Sequence, residues 1–112
     1  MITKSSLELF FKKIADIALE NYDDFNKLDG QLGDGDLGIT ISKGLLSIKD
    51  NLSQFDDDLG KTFIVCAQSF TKASSSSFGT LVAISFMTIA KETKGKNELN
   101  FNEVPDIINK VI

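Results

Sequence analysis

Leu28-Asp29-Gly30-Gln31-Leu32-Gly33-Asp34-Gly35-Asp36-Leu37-Gly38 places three carboxylates and four glycines in eleven residues, between two strongly patterned helical segments. Carboxylates this close repel one another unless a cation neutralises them. Hard oxygen ligands suit Mg²⁺ or Ca²⁺, and glycines let the backbone turn those ligands inward. The stretch also runs into a helix, whose first N–H groups favour an anion such as phosphate. Metal plus phosphate is therefore the working expectation, with Asp29, Asp34 and Asp36 as candidate metal ligands. The bland alternative is a helix-to-helix turn with solvated Asp caps. The register is not that of an EF-hand, and no Gly-Lys-Ser/Thr follows to make a Walker loop.

Upstream, Leu7, Phe10, Phe11, Ile14, Ile17, Ala18, Tyr22, Phe25 and Leu28 recur at three- and four-residue intervals. This predicts a helix from about residue 5 to about residue 27, with Ser5 and Glu8 as a capping box. Downstream, Ile39, Leu45, Leu46, Ile48, Leu52 and Phe55 mark the buried side of a second helix. Gly44 inside it suggests close approach to another backbone. Asp58 is the expected N-cap of a third helix carrying Leu59, Phe63, Ile64, Ala67 and Phe70. After Ser74–Ser77, a fourth helix is expected from about Phe78 to about Lys94. It is apolar nearly all round, so a central position is predicted, with a buried strand as the alternative. Lys94-Gly95-Lys96-Asn97 reads as a turn, and a fifth helix starts near Asn102 with Pro105 in its first turn. The fold class is all-α, antiparallel through short connections, in a single domain spanning residues 1–112.

Composition narrows the function. Histidine is absent, which excludes a histidine base, phosphocarrier or zinc ligand within the chain. A net charge of −4 argues against nucleic acid as a partner. The single Cys66 cannot form an intrachain disulfide and sits in an apolar run as a core residue. No signal peptide and no apolar run of about 20 residues is present, so no membrane span and a soluble, cytoplasmic protein are expected. The second loop, Ala73-Ser74-Ser75-Ser76-Ser77-Phe78-Gly79-Thr80, offers hydroxyls at the start of the fourth helix. It is either a polar turn with a serine N-cap or a second phosphate contact.

Together the two loops resemble the ADP-binding L subunit (DhaL) of bacterial dihydroxyacetone kinase and the equivalent domain of ATP-dependent dihydroxyacetone kinases. Leu28-Asp29 and Gly33-Asp34-Gly35-Asp36-Leu37-Gly38 match the first signature, and Gly44 stands at an Arg-Gly position with Lys43 for the Arg. Ala73, Ser74, Phe78, Gly79 and Thr80 line up with the second. The resemblance implies an α-helical barrel of eight helices, of which this chain would form the N-terminal half, about five. It further implies that Asp29, Asp34 and Asp36 coordinate two Mg²⁺ ions bridging the phosphates of ADP or ATP. Gly38, Ile39 and Thr40 would lie along those phosphates, and Ala73 and Ser74 would cover them. Phosphate would pass to dihydroxyacetone held by a K-type subunit, with a phosphohistidine carrier subunit recharging the nucleotide.

Four positions depart from the family pattern: Leu37 for a His, Thr40 for an Asn, and Lys72 and Ser75 for glycines. They motivate the alternative of a degenerate or truncated, non-catalytic helical interaction module on the same scaffold. An unrelated helical domain that binds Ca²⁺ or another metal through the Asp loop is a third reading. Half a barrel would leave apolar helix faces open, so homo-oligomerisation or a missing C-terminal part is expected.

Overall fold

The computed structural model describes residues 1–24, 27, 37–74 and 76–112. The architecture is all-α: α1 (Lys4–Glu20), α2 (Leu37–Asp50), α3 (Leu59–Ala73), α4 (Ser77–Thr93) and α5 (Val104–Val111). Short 3-10 turns at Leu52–Gln54 and Phe101–Glu103 join α2 to α3 and lead into α5. α3 and α4 form a close helical hairpin, and α2 packs between α3 and α1.

The strand structure among the described residues is a two-residue antiparallel pair, β1 (Ile2–Thr3) with β2 (Glu98–Leu99), in the register Ile2↔Leu99 and Thr3↔Glu98. This pairing moves the helix start. Thr3 is already extended as a strand residue, so it serves as the N-cap of α1. Its Oγ1 accepts from Ser6 N–H at 3.4 Å, and Ser6 Oγ accepts from Thr3 N–H at 3.3 Å. The capping box is thus Thr3/Ser6, and the expected Ser5/Glu8 pair is not used. α1 also stops earlier than predicted. The Asn21 backbone N–H and its side-chain amide both donate to the Ile17 carbonyl, at 3.1 and 2.9 Å, which is the local competition that makes Asn a weak helix former. Residues 22–24 and 27 are helical again.

The core is built on phenylalanine. Phe86 on α4 lies 6.0 Å from Phe11 on α1, and 6.4 and 6.3 Å from Phe63 and Phe70 on α3, centroid to centroid. Phe11 meets Phe55 edge-on at 6.0 Å. Such ring pairs add to the stabilisation from buried area. Ile48, Leu59 and Cys66 are fully buried beside them. Gly44 makes room for this cluster. A Cβ there would stand 2.2 Å from the Phe70 ring, so the close approach is to an aromatic side chain and not to a backbone.

Asp58 caps α3 as expected, accepting from Gly60 N–H at 2.8 Å. The same oxygen accepts from Gly95 N–H at 3.0 Å, which ties the start of α3 to the turn after α4. That turn needs Gly95, whose φ is +81°.

Two expectations about burial are corrected. Phe10 and Ile17 of α1 are each 53% exposed, because the buried stripe is the narrower Leu7, Phe11, Ala15, Ala18 line. α4 is not central. Its Ala83 and Ala90 face inward, while Leu81, Ile84 and Met87 are exposed. Among the described residues it packs mainly against α3, with smaller contacts to α5 and α2.

Candidate phosphate site at two helix starts

The first turn of α2 and the turn before α4 come together, although 36 residues separate Thr40 from Ser76. Thr40 Oγ1 lies 3.4 Å from Ser76 Oγ, and Ser76 Oγ lies 3.1 Å from Ser74 Oγ. Thr40 is buried, and Ser74 and Ser76 are half-buried. Three hydroxyls therefore stand in a row between two helix starts.

Each is placed by a local rule. Ser76 is the N-cap of α4, its Oγ accepting from Gly79 N–H at 3.0 Å. A hydroxyl used as a cap acceptor still has its own proton to donate. Ser74 ends α3, with its N–H donating to the Phe70 carbonyl at 3.1 Å. Gly79 is buried beneath it, where a Cβ would stand 2.8 Å from Ser74 Oγ. Glycine at this position lets the serine turn close over the helix start.

The electrostatics favour an anion. Ser77–Thr80 contains no acidic residue, so the first turn of α4 carries no carboxylate to offset its dipole, whereas Asp36 directly precedes Leu37 at the start of α2 in the sequence. Gly38 and Ile39 lie in that first turn of α2, Gly38 buried and Ile39 half-buried. Ser42, one turn beyond Gly38, is 4% exposed, and its Oγ has no hydrogen-bond partner. Lys43 and Lys72 are exposed.

The structure thus brings together Thr40 and Ser74 of the predicted site residues, with Gly38, Ile39 and Ala73 on the same two segments. The residue that joins them, Ser76, was not singled out by sequence reasoning. Its signal was the N-cap spacing Ser76-x-x-Gly79, hidden in a run of four serines. Asp29, Asp34 and Asp36 lie outside the described residues. Among the described residues no cluster of three His, Cys, Asp or Glu could hold a metal ion. The described part of the site supplies hydroxyls and helix ends, which suit phosphate, and any metal would fall to the Asp/Gly stretch.

Cys66, the only thiol, is no nucleophile. Burial pushes it up to about 12. This arrangement can hydrogen-bond and orient an anion; it offers no described acid–base pair.

Residues 31–112 match the DAK2 domain, and the chain belongs to that family. It is the DhaL-type domain of the dihydroxyacetone kinases, which makes this a kinase-family, nucleotide-binding domain. The matched stretch contains Asp34, Asp36 and the whole Thr40–Ser74–Ser76 cluster, and begins just after Asp29. No curated protein and no solved structure matches the chain. Among the described residues no helix is long and apolar enough to cross a membrane.

Proposed function

We propose that this chain is the nucleotide-binding part of a dihydroxyacetone kinase and holds Mg²⁺-ADP or Mg²⁺-ATP at the meeting point of α2 and α4. The observation that carries the reading is the 3.4 Å approach of Thr40 Oγ1 to Ser76 Oγ, which sets two helix starts around one hydroxyl cluster. Phosphates seated there would meet Gly38, Ile39 and Thr40 from α2, with Ala73 and Ser74 from the second loop. Asp29, Asp34 and Asp36 would hold two Mg²⁺ ions, which offset phosphate charge as in phosphoryl transfer generally. Dihydroxyacetone would be presented by a K-type partner subunit, and a phosphohistidine carrier subunit would recharge the bound ADP. The chain itself needs no histidine for this, because its part in the reaction is to hold and neutralise the phosphates.

Titration calorimetry with ADP tests the reading, first with Mg²⁺ and then with EDTA. Saturable binding that EDTA removes, and that weakens at least about tenfold in Asp34→Asn and Asp36→Asn, is the expected outcome. A folded helical protein that binds no ADP overturns it. The exposed apolar side of α4 would then favour the non-catalytic interaction module on the same scaffold.

A further inference from the structure

The hydroxyls of Thr40, Ser76 and Ser74 form a chain whose protons can be counted. Ser76 Oγ has three neighbours: the Gly79 N–H at 3.0 Å, Ser74 Oγ at 3.1 Å and Thr40 Oγ1 at 3.4 Å. A hydroxyl offers one proton and two lone pairs. The Gly79 N–H takes one lone pair. Ser76 must therefore accept from one of the other two hydroxyls and donate to the other. The chain runs either from Thr40 to Ser74 or from Ser74 to Thr40.

Burial decides between the two directions. Thr40 is 5% exposed, and a buried hydroxyl proton left without an acceptor is costly. Among the described residues, Ser76 Oγ is the hydrogen-bond partner of the Thr40 hydroxyl. Run from Ser74 to Thr40, the chain would leave the buried Thr40 proton over. Run from Thr40 to Ser74, it gives the Thr40 proton to Ser76 Oγ and the Ser76 proton to Ser74 Oγ. The Ser76 backbone N–H, 3.5 Å from Ser74 Oγ, aims a second donor at the same oxygen. Ser74 then receives twice and keeps its own proton to give, at the half-buried end of the chain.

We infer that Thr40 and Ser76 are positioning residues for Ser74. Their hydroxyls hold the Ser74 proton outward, where it is donated to a phosphate oxygen of the bound nucleotide, and neither touches that phosphate with its own hydroxyl. Linked hydroxyls polarise one another, so the chain also strengthens its terminal donor. The inference rests on the nucleotide reading above and divides that site into one hydroxyl donor and two supports.

Titration calorimetry with Mg²⁺-ADP on the full chain tests it through paired variants. Thr40→Val keeps the side chain's shape and removes its hydroxyl. Ser76 is left with an open lone pair, the Ser74 proton turns inward to fill it, and affinity should fall about threefold to tenfold. Thr40→Ser returns the hydroxyl and should restore the affinity. Ser74→Ala should weaken binding by at least about tenfold. Adding Thr40→Val to Ser74→Ala should change affinity by less than about twofold, because no terminal donor is left to orient. Adding it to Ser76→Ala should do as little, because the chain is already cut. Circular dichroism melts of the same samples read the fold, and a merely structural Thr40 would shift the melt without this coupling. Losses that multiply in the double variants, a Thr40→Val protein that binds as the parent does, or a Thr40→Ser protein that does not recover would overturn the inference while leaving nucleotide binding in place. A folded parent that binds no Mg²⁺-ADP overturns both.

Discussion

Gly79→Ala separates the site from the fold. Gly79 is the third residue of α4, and its φ is not in the left-handed region, so alanine can adopt its backbone. Alanine in a helix is favoured over glycine by up to about 1 kcal/mol. Against that, the new Cβ would stand 2.8 Å from Ser74 Oγ, 3.1 Å from Ser74 Cβ and 3.2 Å from the Ser74 carbonyl oxygen. Ser74 must retreat by roughly half an ångström to restore van der Waals contact. That retreat breaks its 3.1 Å contact with Ser76, and the loss of one such hydrogen bond costs about 0.5–1.5 kcal/mol. The two effects nearly cancel, so the melting temperature should stay within about 5 °C of the parent. Nucleotide binding has no such offset. Losing one hydroxyl donor to a charged phosphate costs about 1.5–3 kcal/mol, so Mg²⁺-ADP should weaken by about tenfold or more. Thermal melts by circular dichroism and calorimetric titration of the same samples read the two quantities. An unchanged dissociation constant in a Gly79→Ala protein of unchanged stability would refute the placement of phosphate beside Ser74.

Three further outcomes follow from the packing and the charges. Gly44→Ala places a methyl 2.2 Å from the buried Phe70 ring, so overpacking should destabilise the fold by about 1–3 kcal/mol. Phe70→Leu in the same chain should recover part of that loss, and denaturant titrations showing the two changes strictly additive would contradict the contact. The Gly95 and Gly60 N–H groups hold the Asp58 carboxyl below its ordinary value of 3.8. A lowered carboxyl contributes stability above its unfolded value and loses it as pH falls through the folded one, so the loss should appear below about pH 4. Asp58→Asn keeps a cap acceptor but cannot titrate, so its acid unfolding curve should be flatter than the parent's; parallel curves would exclude the effect. Cys66 should resist a thiol reagent in the native protein and react at once in guanidinium, because burial both covers the thiol and pushes it up to about 12. Fast labelling under native conditions would show that the core opens there.

What the sequence revealed and what it concealed divide along the range of the interactions. The helices, the Asp58 cap and the Gly95 turn are local, and each was legible from three or four neighbouring residues. The Ile2–Thr3 and Glu98–Leu99 pair could not be seen, since two-residue strands have no period, and it displaced the predicted cap from Ser5 to Thr3. The meeting of Thr40 with Ser76 was equally hidden in geometry, although the family resemblance had put both loops on one phosphate. The predicted Asp29, Asp34 and Asp36 cluster lies outside the described residues, so the structure bears on the phosphate half of the site alone.

The fourth helix marks a different kind of limit. Apolar residues all round α4 mean that it can be covered on every side; they do not say by what. Phe86 and Ala83 find the core within this chain, whereas Leu81, Ile84 and Met87 do not. Leu81, Ile84 and Met87 give the helix an exposed apolar side among the described residues. Periodicity alone would have placed it at the centre of the fold. The exposed side chains show that, within the described residues, the centre lies between α1, α3 and the inner face of α4.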